Sequence, residues 1–399
     1  MWRSLPALAL LVIAVVGAPA AQAGTAPLGG GLLAGACEPD GGAAARVTPA
    51  GVAAGLEEPN VAAAYADALG EPDTLRGGVR RTGPATVPVY VHVIRGPAGI
   101  GAVPQATIDA QIDVLNDGFD GGATGGAGTG LRFELADTDV TVNSAWYPVG
   151  QEDAAAIAMK SSLHRGGRRA LNLYVTDLAG DLLGYARFPS QWRAAPELDG
   201  VVVDNETLPG GTAPYDLGDT AVHEVGHWVG LFHTFEGASC SGPGDLVADT
   251  PAELEPHYTC DTTDSCPSDP GSDPVDNYMD YAVDSCMHLF TPGQAARIGA
   301  QVARYRNTSP KLNGGKLRVR PGRKVGIDAA ASDAEDDAIS YEVAARPKDG
   351  TLKGTAPRLT YKAPKRWDGK DVVKVRASDV YGAARTATYR LRAKGRKRR

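Results

Sequence analysis

At 399 residues the chain is too long for one ordinary domain and has room for two plus processed segments. Hydrophobic residues make up 43% and charged residues 22%, which argues against disorder of the whole chain, and 50 Gly with 28 Pro and no repeat mean turns and long loops rather than collagen. The net charge of −7 hides an asymmetry: residues 311–399 hold 24 Lys+Arg against 10 Asp+Glu, residues 1–310 hold 16 against 37, and so acidic a majority disfavours a general nucleic-acid binder.

The first segment reads as an export signal. Arg3 precedes an apolar run over 5–16, and Ala21-Gln22-Ala23 supplies the small residues of a cleavage site, so 1–23 is expected to be a secretory signal peptide. The run is shorter than the roughly 20 residues a membrane span needs, and no later segment qualifies. Residues 24–81 are rich in Ala and Gly, carry one helical patch at 61–69 and end in Arg80-Arg81, an exposed basic pair suited to nicking; they are expected to be a propeptide. From 87 the pattern alternates between strand and helix. Strands are expected at 87–94, at 131–142 (one or two), and at 171–176, 182–188 and 201–204. Helices are expected at 105–119, 153–163, 217–229 and, after a long loop reaching 284, at 292–305. This order predicts an α/β domain over 82–310. Beyond 310 the helical period disappears. Apolar and polar residues alternate at 316–319, 339–344, 359–361 and 372–377, with turns at Asp349-Gly350 and Asp368-Gly369, which predicts a small all-β sandwich over 311–399 ending in a solvated basic tail.

Five cysteines are present, and Cys240, Cys260, Cys266 and Cys286 crowd into the long loop. An even set in an exported chain predicts two disulfides, with three pairings open, and leaves Cys37 over.

The chemistry is concentrated in His223-Glu224-Val225-Gly226-His227-Trp228-Val229-Gly230-Leu231-Phe232-His233, an HExxHxxGxxH run. On a helix, His223 and His227 are one turn apart and share a face, so both imidazoles converge on one ion. Gly230 ends the helix with a sharp turn that brings His233 in as a third ligand. Three neutral nitrogens with one open position define a catalytic rather than a structural zinc site, and Glu224 beside it is the expected general base, taking a proton from water and delivering it to the leaving amine. A closed structural zinc site would need a fourth protein ligand, and core histidines alone would not explain a third one beyond a helix-ending glycine.

The run, followed by Asn277-Tyr278-Met279-Asp280-Tyr281, resembles the metzincins, whose histidine motif precedes a methionine turn. More narrowly, LLGYARF at 182–188, Tyr215-Asp216-Leu217-Gly218 with Thr220, Asp249-Thr250-Pro251, and Cys286-Met287 before Phe290-Thr291 are similar to the pappalysin family. The likeness spans roughly 85–308. It implies a metzincin-like catalytic domain with a mixed sheet and an active-site helix, Met279 as a floor beneath the histidines, and Tyr281 as an oxyanion donor. It also implies that Leu183, Gly184 and Tyr185 lie on the strand along which an extended substrate pairs. The disulfides it implies are Cys240–Cys266 and Cys260–Cys286. Related zymogens place a prosegment cysteine on the metal, a role that would fall to Cys37, and some members hold structural Ca2+ in the loop carrying Asp245, Asp249 and Asp264. Members that cleave beside Arg or Lys use an acidic residue directly before the last loop cysteine. Here Ser285 stands there and Asp284 one place earlier, so a basic preference stays open but does not carry over from the resemblance.

The C-terminal module, notably at 346–361, is similar to bacterial immunoglobulin- or cadherin-like repeats. Its positive charge suits an acidic partner such as wall polymer or extracellular nucleic acid, or a soluble spacer with no partner. Together these readings predict a secreted zinc endopeptidase made as a zymogen and acting on proteins or peptides. The alternative is an extracellular adhesion protein on the same scaffold, and an intact Glu224 favours the enzyme.

Overall fold

A computed structural model describes residues 44–50, 64, 65, 68, 85–121, 125–367 and 369–394. Cys37, Arg80-Arg81, the expected signal peptide and the last five residues lie outside it.

Valine-rich runs with no exposed face build the centre. Strands β1 (Ala44–Val47), β2 (Ala85–Arg95), β3 (Leu131–Val142), β4 (Leu171–Thr176), β5 (Leu182–Ala186) and β6 (Val201–Asp204) form one sheet in the order β1-β5-β6-β4-β2-β3. The pairs among β2, β3, β4 and β6 are parallel, whereas β5 runs antiparallel to β6 and β1 antiparallel to β5. All six residues of β4 are buried, as expected for a parallel strand covered on both sides. Region 131–142 is a single strand, and a register shift at Val89/Tyr90 lets it follow β2 along its full length.

Helices α1 (Gln105–Phe119) and α3 (Asp219–Trp228) cover one face, and α2 (Ala154–Leu163) lies on the other side. The first core joins Val87, Val89 and Val91 to Leu115, Phe119, Val222, Val225 and Met279; the second joins Ile94, Met159, Tyr174, Tyr185 and Val202. The expected strand at 182–188 stops at Ala186, because Pro189 opens a 3-10 turn and Phe188 turns inward with Phe232. Helix α3 starts two residues later than expected, since Gly218 before it has φ +94°, outside the helical region. The closing helix α4 (Pro292–Gln301) continues to Arg306 as a wider π turn. A capping box between Thr291 and Gln294 starts it.

Beyond it, β7 (Gly315–Val319), β9 (Ser340–Ala345), β12 (Lys370–Ser378) and β13 (Ala384–Ala393) form a four-stranded sheet. It packs on a second of β8 (Lys324–Asp328), β10 (Thr351–Thr355) and β11 (Arg358–Lys362). Strands β8, β10 and β13 were not anticipated; Gly326 and Gly354 break the apolar alternation in the first two, and β13 carries basic residues on its outer face. Val380 and Tyr381, in the turn after β12, belong to the first core of the α/β body, so the module is seated on that body by a buried plug. Among the described residues no helix is long and apolar enough to cross a membrane.

Candidate active site

Every residue of α3 is buried, so its histidines cannot be surface groups and must be satisfied inside. At its end the amide of Leu231 donates to the Gly226 carbonyl at 2.9 Å and that of Gly230 to the His227 carbonyl at 2.9 Å. Gly230 has φ +100°, and a side chain there would also meet the Gln301 side chain at 2.7 Å, so both conformation and space demand glycine. The turn swings His233 back onto the helix. The Nε2 atoms of His223 and His233 each lie 3.0 Å from Nε2 of His227.

The tautomers follow from the outer nitrogens. Nδ1 of His223 faces the Tyr278 carbonyl at 2.6 Å and Nδ1 of His227 faces the Leu231 carbonyl at 2.9 Å, so these nitrogens carry the protons. The inner Nε2 atoms are then bare lone pairs pointing at one another, an arrangement that repels unless a cation lies between them. Burial and the neighbouring imidazoles hold His223 well below the usual histidine range, and burial alone takes His233 to about 3. Three neutral nitrogen donors of this kind fit zinc, whose nitrogen bonds of about 2.0–2.1 Å need only a slight opening of the triad.

Met279 lies under the helix so closely that a Cβ on Gly226 would come within 2.4 Å of its sulfur. The Tyr281 ring stands 5.1 Å from that of His233 and 5.7 Å from that of His223. At the far end Arg306 stacks on Trp228 at 3.5 Å, donates to its carbonyl at 2.8 Å, and pairs with Asp199, which also accepts from the indole. That latch fixes the helix against the sheet. The four loop cysteines pair as Cys240–Cys266 and Cys260–Cys286, two overlapping closures around the cleft.

Strand β5 forms the upper wall. Gly184 packs against Glu224, where a Cβ would meet the Glu224 side chain at 2.8 Å; Leu183 is half-buried and Tyr185 faces the second core. The edge expected to receive substrate is covered by β1, a piece of the expected propeptide, with Arg46 opposite Gly184. The Arg46 amide donates to Oε1 of Glu224 at 3.0 Å. Its side chain is fully buried: Nη1 donates to Thr220 Oγ1 at 2.9 Å and pairs with Asp284 at 3.2 Å, and Nη2 donates to the Ala282 carbonyl at 2.5 Å. The guanidinium also lies 4.9 Å from the centre of the Tyr215 ring.

Arg46 and Thr220's part in its pocket were missed by sequence reasoning. The one signal was Asp284, noted there but set aside because it stands one place off the family position; the fold nevertheless buries its carboxylate beneath the cleft. The three acids expected to share a calcium ion are not brought together. Asp245 accepts from the Val247 amide, Asp249 from Thr291 and the Gly293 amide, and Asp264 from the Cys266 amide. Elsewhere in this loop Glu253 and Asp273 flank His257 at 2.5 and 3.4 Å.

A buried histidine triad beside a glutamate, under a strand that pairs with an extended segment, defines a metalloendopeptidase on a metzincin-like catalytic domain. Comparison with known proteins agrees. Residues 167–303 match the peptidase family M43, described as pregnancy-associated plasma protein-A, and 307–392 match a bacterial Ig domain. An extracellular metalloprotease of Pyricularia oryzae is 44% identical over 227 residues, 55% of this chain and 76% of the relative. Extracellular metalloprotease 1 of Coccidioides posadasii is 44% identical over 232 residues, 56% and 79% of the two chains. Among solved structures, a Glu-to-Ala mutant of Tannerella forsythia promirolysin is similar, at 31% identity, covering 61% of this chain and 89% of that one with a TM-score of 0.53. The chain belongs to the pappalysin (M43) family of metalloproteases.

Proposed function

We propose that the chain is a secreted zinc endopeptidase, made as a zymogen whose own residues 44–47 occupy the cleft, and that it cleaves before basic residues. The observation that carries this reading is the Arg46 backbone: its amide nitrogen lies 3.0 Å from Glu224 Oε1, beside the triad, on a strand paired antiparallel with β5. The bond between Ala45 and Arg46 thus stands where a scissile bond would.

His223, His227 and His233 would hold the zinc, which when bound supplies Lewis acidity to the scissile carbonyl and the attacking water. Glu224 takes the proton of that water and carries it to the leaving amine, the atom its carboxylate already faces in the Arg46 amide. The Tyr281 hydroxyl is assigned to the oxyanion, and Met279 keeps the histidines from tilting. Backbone pairing along Leu183–Gly184–Tyr185 aligns the peptide, while Asp284, Thr220 and the Ala282 carbonyl receive a guanidinium at the residue whose nitrogen departs. Maturation in this reading is cleavage of the 45–46 bond rather than at Arg80-Arg81. The assignment of Cys37 to the fourth metal position supplements that blockade. Export is supported by relatives named extracellular. The proposed segments are a signal peptide over 1–23, a propeptide within 24–81, a catalytic domain to 310 and a sandwich from 311.

The test is Glu224→Ala. Peptide hydrolysis is expected to fall at least ~10³-fold with one zinc per chain retained by elemental analysis. Undiminished hydrolysis would remove Glu224 from the reaction and with it the enzyme reading of this site.

A further inference from the structure

Where the sandwich meets the catalytic body, acidic side chains from two segments of the module converge beside the linker. Asp333, Glu335 and Asp337 lie in the loop between β8 and β9, and Asp379 stands at the end of β12. One oxygen from each of Asp333, Asp337 and Asp379 lies within 4.8 Å of one from each of the others. Two oxygens that both contact one calcium ion at about 2.4 Å are separated by no more than about 4.8 Å, so the three fit a common ion.

Their hydrogen bonds leave the centre unfilled. Asp333 Oδ1 accepts from the amides of Glu335 and Asp337, Asp379 Oδ1 from those of Tyr381 and Ala383, and Asp379 Oδ2 from Asn307 Nδ2 at 3.0 Å. Glu335 is engaged by the amide and hydroxyl of Thr308. Arg169 of the catalytic body pairs with Oδ1 of Asp337 and donates to Asn307 Oδ1 at 2.5 Å. Oδ2 of Asp333 and Oδ2 of Asp337 are buried and have no hydrogen-bond partner, although the Asp337 side chain is only 3% exposed. One guanidinium against four carboxylates leaves a strong negative excess, and burial with the charges of Asp337 and Glu335 pushes Asp333 above the usual carboxylate range. An orphaned buried carboxylate oxygen is costly, and a divalent cation held among the three carboxylates would offset that cost.

We infer that Asp333, Asp337 and Asp379 form a calcium site that locks the linker at 306–311 and fixes the sandwich on the catalytic body. The donors are all hard oxygens, with no nitrogen or sulfur in the set, which selects calcium over zinc. The site is separate from the histidine triad and does not depend on the reading of it.

The test uses the full chain carrying Glu224→Ala, zinc-loaded and in a magnesium background, with and without Asp333→Asn and Asp337→Asn together. Asp333→Asn keeps an oxygen for the Glu335 and Asp337 amides and Asp337→Asn keeps one for Arg169, while each loses its charge. Calcium titration calorimetry is expected to show one more site per chain in the parent than in the substituted chain. Tryptic cleavage after Lys311 should be slowed about tenfold by calcium in the parent alone. Equal stoichiometry, or equal protection, overturns the proposal. Should the double substitution prevent folding, terbium emission excited through Tyr381 in the parent decides: emission displaced by calcium supports the site, and its absence rejects it.

Discussion

The two walls of the cleft were built by different kinds of information. Helix α3 carries its chemistry in local spacing: positions one turn apart, a glycine that ends the turn, and a third histidine at fixed distance place the three nitrogens together whatever the rest of the chain does. Strand β1 is four residues from an Ala-rich stretch without helical or strand period, and it acquires a role only because β5 leaves an open edge and Asp284 leaves a buried anion. Motif chemistry is therefore read along the chain, whereas occupancy of a cleft is read only across it.

Removing the anion separates the two walls most sharply. In the mature enzyme, Asp284→Ala should reduce kcat/KM for Arg-containing peptides about 10³-fold relative to peptides with a neutral residue at that place, since one partner of a buried charge pair is lost. Equal losses on both substrates would show that Asp284 shapes the fold rather than specificity. Arg46→Ala addresses the strand itself. Mass spectrometry of the maturing chain should show processing at 45–46 slowed about 100-fold, and an unchanged rate would place maturation elsewhere. On the helix side, Tyr281→Phe should lower kcat roughly 30- to 100-fold with little change in KM, as expected for one oxyanion donor; a rise in KM alone would make it a binding residue.

A smaller effect concerns the loop between the walls. Burial pushes Asp245 up to about 7. The folded chain therefore holds a proton there that the unfolded chain releases near pH 4, and stability falls as pH rises from about 4 to about 7. Asp245→Asn keeps an acceptor for the Val247 amide, so its stability relative to the parent should increase across that range in urea unfolding. The opposite trend would mean that the carboxylate is stabilised as an anion.

Much of the fold was legible because its elements are periodic and long. Helix α1 matched its expected range, and β3, β4 and β6 occupy the residues expected of them. The ends were less legible, since Pro189 and Gly218 acted through backbone geometry rather than hydropathy. In the sandwich, β8 and β10 were missed where glycine interrupts the apolar alternation, and β13 was missed although Ala387, Tyr389 and Leu391 alternate inward between its outer arginines. The acids named as calcium ligands from their nearness in sequence make separate contacts, Asp245 and Asp264 within local turns and Asp249 across to Thr291 and Gly293 at the start of α4. The basic pocket was half visible: its acid could be named, but the guanidinium in it lies 238 residues away in the chain.

The plug of Val380 and Tyr381 has a consequence for how such proteins can be rearranged. A terminal module tethered only by a linker can be exchanged freely, but this one completes the apolar interior of its neighbour. Amputating it would bare a greasy socket on the protease and invite clumping, so any recombination that trades the tail must carry that tyrosine turn along or reseal the hole it leaves.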